Sequence, residues 1–160
     1  MARLDLGHLG QVPAEHRCAL DPRELSVGVV HLGLGAFHRA HQLYCLERAA
    51  ELSEETRWAV SGFSQRRAGA AEVLTAQDGL FSLRLAAPGT SSLRVLASLR
   101  EARFAQEAHA ALAARLADPR VALVTLTVTE KGYRYDPASG RLARQDPALL
   151  ADAAGGAPTT

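Results

Sequence analysis

Lysine is all but missing from this chain: Lys131 stands alone against seventeen arginines. The arginines are spread along the sequence and matched by 17 acidic residues, for a net charge of +1, so no basic face for nucleic acid is expected. Cysteine is scarce as well. Cys18 and Cys45 are too few for a disulfide framework and lack the spacing of a zinc site, which points to a reducing compartment. Long apolar runs are also absent: no segment approaches the roughly 20 residues of a membrane helix. Met1 to Gln11 contains no apolar stretch of signal-peptide length, so a cytoplasmic location without a membrane partner is expected. There are no internal repeats. What remains is 160 residues, 48% hydrophobic and 22% charged, the profile of one soluble domain with a core.

Breakers Gly7, Gly10, Pro13 and Pro22 make residues 1–26 an irregular arm lying over the domain. Val27 to Leu32 is a short, nearly continuous β-branched run ending at Gly33, the pattern of a strand buried on both faces. Phe37 to Leu52 follows with apolar residues at helical spacing. Trp58 to Phe63 reads as a second strand and Gln65 to Gln77 as a weaker helix, completing a βαβ unit. Leu80 to Ala86 and Ser92 to Ser98, with Pro88-Gly89 between them, read as an inserted antiparallel hairpin. Glu101 to Ala117 returns to helical spacing and is stopped by Asp118-Pro119. Val121 to Thr129 is the strongest strand signal and is expected as the third parallel strand. Lys131 to Asp152 reads as a loop, with a turn at Ser139-Gly140, and Ala151 to Thr160 as a small-residue tail. The fold class is therefore α/β: a parallel sheet forming the first half of a dinucleotide-binding domain, over residues 27–160, with an inserted hairpin.

Gly33-Leu34-Gly35-Ala36-Phe37-His38 lies where the first strand turns into a helix. In dinucleotide-binding folds this junction holds the pyrophosphate, because glycines permit the turn and the close approach while the helix N-terminus supplies free N–H groups. The third glycine of G-x-G-x-x-G is replaced by His38, so spacing alone leaves two readings open: a cofactor turn, or two glycines that shape a tight connection. His31, His38 and His41 have no carboxylate or cysteine at a supporting spacing, and no metal site is expected from them.

The longer string Val29-Val30-His31-Leu32-Gly33-Leu34-Gly35-Ala36-Phe37-His38-Arg39-Ala40-His41-Gln42 closely resembles the N-terminal signature of the mannitol dehydrogenase family, the long-chain polyol dehydrogenases and uronate reductases. Gly33, Gly35, Phe37, Arg39 and His41 match its G-x-G-x-F-x-R-x-H form. Leu126 to Tyr133 resembles that family's T-V-T-E-x-G-Y stretch, and Trp58 to Phe63, Ala76 to Leu83 and Pro158-Thr159-Thr160 fit its order. The resemblance implies a Rossmann-type domain of an NAD- or NADP-linked oxidoreductase. Such an enzyme interconverts a sugar alcohol or sugar acid of the mannitol or mannonate type and its keto form, of the fructose or fructuronate type. It further implies that Gly33, Leu34, Gly35, Ala36, Phe37, His38 and Arg39 line the pyrophosphate. Thr129 and Glu130 would face the nicotinamide side or, alternatively, cap the strand end.

In that family the catalytic lysine, with its asparagine and histidine neighbours, lies in a C-terminal helical domain, so no catalytic residue is expected within these 160. Lys131 reads as a solvated side chain. No acid follows the second strand, where one would bind the adenosine ribose; Ser64, Arg66 and Arg67 stand there instead, which leans toward NADP unless the arginines merely form a solvated turn. A stand-alone, non-catalytic nucleotide-binding module is the alternative reading of the whole chain.

Overall fold

Val27–Leu32 forms β1, and its four middle residues are buried, as expected of a β-branched run with strands on both sides. The computed structural model describes residues 3–128 and 130–155 and divides into two compact units, residues 1–127 and 128–160. In the first unit β1 pairs in parallel with β2 (Ala59–Ser64) on one side and with β6 (Leu123–Leu126) on the other. β2 is buried at every position and pairs in parallel with β5 (Leu99–Phe104) on its far side. The sheet order β5-β2-β1-β6 is thus third, second, first, fourth among its parallel strands, the order of a dinucleotide-binding α/β sheet.

A π-helical turn at His38–Gln42 runs into α1 (Leu43–Ser53), which returns the chain to β2. Leu43, Glu47 and Ala50 are its buried residues, one stripe at helical spacing. Glu54 ends the helix in the left-handed region. α2 (Gly69–Thr75) follows β2, burying Ala71 and Leu74, and is shorter than the helix expected over Gln65 to Gln77. The hairpin is present as β3 (Phe81–Ala87) and β4 (Thr90–Leu96), paired antiparallel around Pro88-Gly89.

The stretch from Glu101 corrects the sequence reading. Glu101 to Phe104 belongs to β5 and not to a helix; the helix, α3, is confined to His109–Leu116. Leu99-Arg100-Glu101-Ala102-Arg103-Phe104 is made mostly of good helix formers, but pairing with β2 overrides that preference. An edge strand tolerates its charges: Glu101 accepts a hydrogen bond from Ser61 Oγ at 2.7 Å and pairs with Arg115 of α3. β6 is accordingly the fourth parallel strand, and it is shorter than Val121 to Thr129; Thr129 lies outside the described residues.

The main core joins Val29, Leu34, Leu43, Val60, Leu74, Leu96 and Leu99. The irregular arm has two single turns of 3-10 helix, and Leu4, Leu6, Leu9, Val12 and Leu25 pack over Leu80, Val95 and Ala97.

The second unit also corrects an expectation, since residues 130–155 are not a plain loop. A 3-10 turn at Glu130–Tyr133 leads to a short hairpin, β7 (Tyr135–Asp136) with β8 (Arg141–Leu142), and then to α4 (Pro147–Ala153). Asp146 caps α4, its side chain accepting from the amides of Ala148 and Leu149. Aspartate followed by proline is a helix start that the sequence displays. Residues 156–160 of the expected tail lie outside the described residues.

β6 has β1 on one side and, among the described residues, no strand on the other. Leu123, Val124 and Leu126 are 42%, 45% and 58% exposed there. An open parallel edge carrying aliphatic side chains pairs readily with other chains. The purified 160-residue chain is expected to self-associate as concentration rises, and Leu126→Lys to shift it toward monomer in light scattering. A wild-type monomer at every concentration would contradict this.

Candidate functional site

The candidate site grows from the carboxyl end of β1, beside the gap between β1 and β6 where the strand order reverses. Open parallel sheets bind ligands at such a reversal. Gly33 leaves β1 with φ of 125°, a conformation that side-chain-bearing residues rarely adopt, while its N–H donates to Phe63 O at 2.8 Å. A Cβ there would lie 3.2 Å from Cβ of Thr127. Leu34 then turns inward, 3% exposed, and lies over Gly62 of β2. Gly35, Ala36 and Phe37 face outward. A Cβ on Gly35 would meet nothing within 4 Å, so the backbone there is bare.

Helical hydrogen bonding begins as Arg39 N–H donates to Gly35 O at 3.2 Å. The amides of Ala36, Phe37 and His38 therefore open the helix and have no intrahelical acceptor. Together with the helix dipole they form a surface suited to an anion. Arg39 is half-buried, and its Nε reaches back to Gly35 O at 3.4 Å. Phe37 is 64% exposed and stacks on His41, with ring centroids 5.2 Å apart.

His38 takes a different place from the residues around it. Its ring is fully buried and lies parallel to that of His31, centroids 3.6 Å apart. His31 is held by the hydroxyls of Thr125 in β6 (2.7 Å) and of Thr127 just beyond it (3.1 Å), and Gln42 joins His38 (2.8 Å) to Thr125 (2.9 Å). Burial pushes both imidazoles below their ordinary range, His38 to about 4. Only the amide of His38, not its ring, belongs to the outward face. Sequence reasoning missed Gln42, Thr125 and Thr127 as partners in this network. Their signal was a histidine inside an otherwise apolar strand, which must find hydrogen-bond partners when buried.

At the end of β2, Ser64 is buried and its hydroxyl donates to Arg103 O at 3.4 Å, while Arg66 and Arg67 are exposed in the loop beyond. Among the described residues no acidic side chain follows β2 before Glu72. Thr129, and the side chains of Glu130 and Lys131, lie outside the described residues.

A separate group, Cys18, Glu47 and Glu51, has metal-ligating atoms within 4.8 Å of one another. Its oxygens are already engaged. Glu47 accepts from the amides of Ala97 (2.6 Å) and Ser98 (3.0 Å), and Glu51 pairs with Arg94 and Arg48. Burial and the nearby Glu47 carboxylate push the Cys18 thiol up to about 12, so it stays protonated. The group ties the arm, α1 and β4 together.

The mannitol dehydrogenase Rossmann domain family matches residues 27–155. The chain is 38% identical over 140 residues to a mannitol 2-dehydrogenase of Cereibacter sphaeroides, covering 86% of this chain and 29% of that protein. It is 36% identical over 130 residues to a polyol:NADP oxidoreductase of Gluconobacter oxydans, covering 78% and 26%. Among solved structures it is similar to the ternary complex of Pseudomonas fluorescens mannitol 2-dehydrogenase with NAD and D-mannitol, at a TM-score of 0.82 and 31% identity over 96% of this chain and 32% of that one. It is likewise similar to a substrate-free D-sorbitol dehydrogenase, at a TM-score of 0.79 and 32% identity. The chain spans about a third of the length of these relatives.

The contact of Leu34 with Gly62 is the packing that seats the turn on the sheet. A Cβ on Gly62 would come within 2.4 Å of Leu34 Cδ2 and 3.1 Å of Leu99 Cδ1. Gly62→Ala is expected to destabilise the chain by about 1–3 kcal/mol through overpacking. With Leu34→Ala added, the urea-measured loss should be smaller than the sum of the two single losses. Additive losses would show that the turn is not seated through this contact.

Proposed function

Because the chain belongs to the mannitol dehydrogenase family through its Rossmann domain, we propose that it is the dinucleotide-binding part of an oxidoreductase that interconverts a sugar alcohol or sugar acid and its keto form. The observation that carries the reading is the bare Gly35 backbone beside the acceptor-free amides at the end of β1. A Cβ-free surface and unpaired N–H groups suit a pyrophosphate, and the residues present fit such a group. When bound, the nicotinamide exchanges hydride with the carbinol carbon of the substrate.

The chain's own contribution is positional. Gly33 turns the backbone, and Leu34 anchors the turn inward. The amides of Ala36, Phe37 and His38 meet the pyrophosphate, and Arg39 adds a cation close to it. Thr129 and Glu130 are proposed to face the nicotinamide side. No general acid or base for the hydroxyl proton is assigned within these residues; hydride transfer requires one within hydrogen-bonding reach of the substrate oxygen. The substrate is proposed to be a polyol or uronate of the mannitol or mannonate type; the mannitol 2-dehydrogenase and polyol:NADP oxidoreductase relatives support the polyol part.

We further propose that the cofactor is NADP in preference to NAD. After β2 the chain offers the exposed Arg66 and Arg67 to a 2′-phosphate and no carboxylate to a 2′-hydroxyl. Titration of NADH and NADPH into the protein tests both proposals. Gly35→Val is expected to weaken both nucleotides by at least about tenfold, some 1.4 kcal/mol. The Arg66→Ala, Arg67→Ala pair should weaken NADPH alone. Equal affinities unaffected by that pair would overturn the NADP preference. Failure of either nucleotide to bind would overturn the cofactor reading itself.

A further inference from the structure

Two imidazoles bracket the glycine turn. His31 stands two residues before Gly33 and His38 five residues after it, and their rings lie 3.6 Å apart and 2° from parallel. In the G-x-G-x-x-G fingerprint the third glycine allows the helix to pack closely on the strand. Here the same position carries a ring, and the chain departs from a regular α-helix at that point through the π-turn His38–Gln42.

The hydrogen bonds assign the protons. Gln42 commits its Nε2 to Thr125 Oγ1 at 2.9 Å, which leaves its Oε1 to accept from His38 Nδ1 at 2.8 Å. The basic lone pair of His38 is therefore on Nε2, a buried atom with no hydrogen-bond partner among the described residues. His31 has both nitrogens engaged by Thr125 and Thr127.

We propose that the His31–His38 stack is a clip that positions the Gly33–Phe37 turn for its anionic ligand, and that it holds only while both rings are neutral. The identity of that ligand rests on the cofactor reading above; the clip does not. A proton arriving on His38 Nε2 would create a buried N–H without an acceptor, beside a second ring. The Gln42 bond to Nδ1 favours the charged ring, but burial outweighs it and none of the described groups packed around the ring gives Nε2 an acceptor. β1 presents His31, β6 and the residue after it present the hydroxyls of Thr125 and Thr127, and the helix presents Gln42 and the Arg39 guanidinium. His31 and Arg39 both disfavour the added charge. The protonated ring must leave its place, and the backbone that carries the amides of Ala36, Phe37 and His38 leaves with it. His38 binds its proton less readily in the fold than at its ordinary value of 6.5. The clip is therefore complete above that value and lost as pH falls through about 4. A histidine that merely added positive charge near the phosphates would act with the opposite sign, tightening the ligand in acid.

The experiment follows the ring resonances of both histidines and the amides of Gly35 and Ala36 by NMR from about pH 7.5 to about pH 3.5, with NAD+ affinity measured by calorimetry over the same range. NAD+ is the probe because its pyrophosphate stays ionised throughout. The turn amides should shift with the midpoint of His38. NAD+ affinity should halve there and fall about tenfold for each further pH unit. His38→Asn retains a donor for Gln42 but has no basic nitrogen, and its NAD+ affinity should fall less steeply in acid than that of wild type, leaving only the contribution of the ligand's own adenine, which protonates in the same range. At neutral pH His38→Ala should bind about tenfold more weakly than His38→Asn. Turn amides that stay still while His38 titrates, an Asn variant with the wild-type pH profile, or tighter binding in acid would each overturn the clip. Should acid unfold the chain first, the Asn variant must unfold at lower pH than wild type; an equal midpoint overturns the proposal. Amides that follow His38 in a chain that binds no NAD+ at any pH would support the clip and overturn the cofactor reading.

Discussion

β1 is held from both sides by parallel partners, and the rest of the structure is arranged around that grip. Val29 and Val30 pair with Val60 and Ser61 on one side and with Leu123 and Val124 on the other. A strand enclosed in this way has its backbone polar groups satisfied only along its own length. The ladder continues one residue beyond it, through Gly33 N–H to Phe63 O and Thr127 N–H to Leu32 O. The chain must then leave the sheet at once and start a helix, with no room for a gradual bend. Gly33 supplies the required φ, and Leu34 is directed down onto Gly62. The outward face of the next three residues is a consequence of that departure. The position of the candidate site is thus set by the central strand and needs no contribution from a separate loop.

A second constraint fastens the inserted hairpin to this frame. Glu47 of α1 is buried, and burial raises its pKa, while the amides of Ala97 and Ser98 and the Arg94 guanidinium oppose that rise. A buried carboxylate that lost those donors would carry the full cost of desolvation. The link from β4 into β5 therefore cannot drift away from α1, and β5 is delivered in register to β2. Ser98 adds a hydrogen bond from its hydroxyl to Leu43 O at 3.1 Å, close to where the π-turn ends. The insertion and the glycine turn share one helix as their support.

The parts of this arrangement legible in the sequence are those in which burial pattern and local chemistry agree. β1 and β6 are rich in β-branched and apolar residues, β2 is a short run bounded by polar loops, and the strand–glycine–helix order marks the turn. β5 is hidden in the sequence because Arg100, Glu101 and Arg103 look solvated in a linear reading, and only the pairing of Glu101 with Ser61 and Arg115 explains how an edge strand carries them. α4 shows only its start, Asp146-Pro147, because the small residues after it carry little periodicity. Within the site, the outward positions of Gly35, Ala36 and Phe37 follow from the motif. The inward position of the His38 ring does not, since it depends on a strand that lies nearly ninety residues further along the chain, where Thr125 and Thr127 stand.

The missing third glycine illustrates what a fingerprint encodes. Glycine at that position meets a steric requirement, close approach of helix to strand, and any arrangement that fills the added space with a well-packed, hydrogen-bonded group meets the same need. Here the strand contributes a histidine within an otherwise apolar run, and two flat rings stack within 3.6 Å, a separation close to ordinary van der Waals contact. Neither histidine is suited to its place alone. His31 without His38 would leave a void beneath the turn, and His38 without His31 would press a polar ring against valine. The two histidines are therefore one structural solution, and a third-position glycine facing an aliphatic strand residue is another. A chain that set one histidine against a glycine or an aliphatic residue would lose the close seating of helix on strand that brings the amides of Ala36, Phe37 and His38 to the surface.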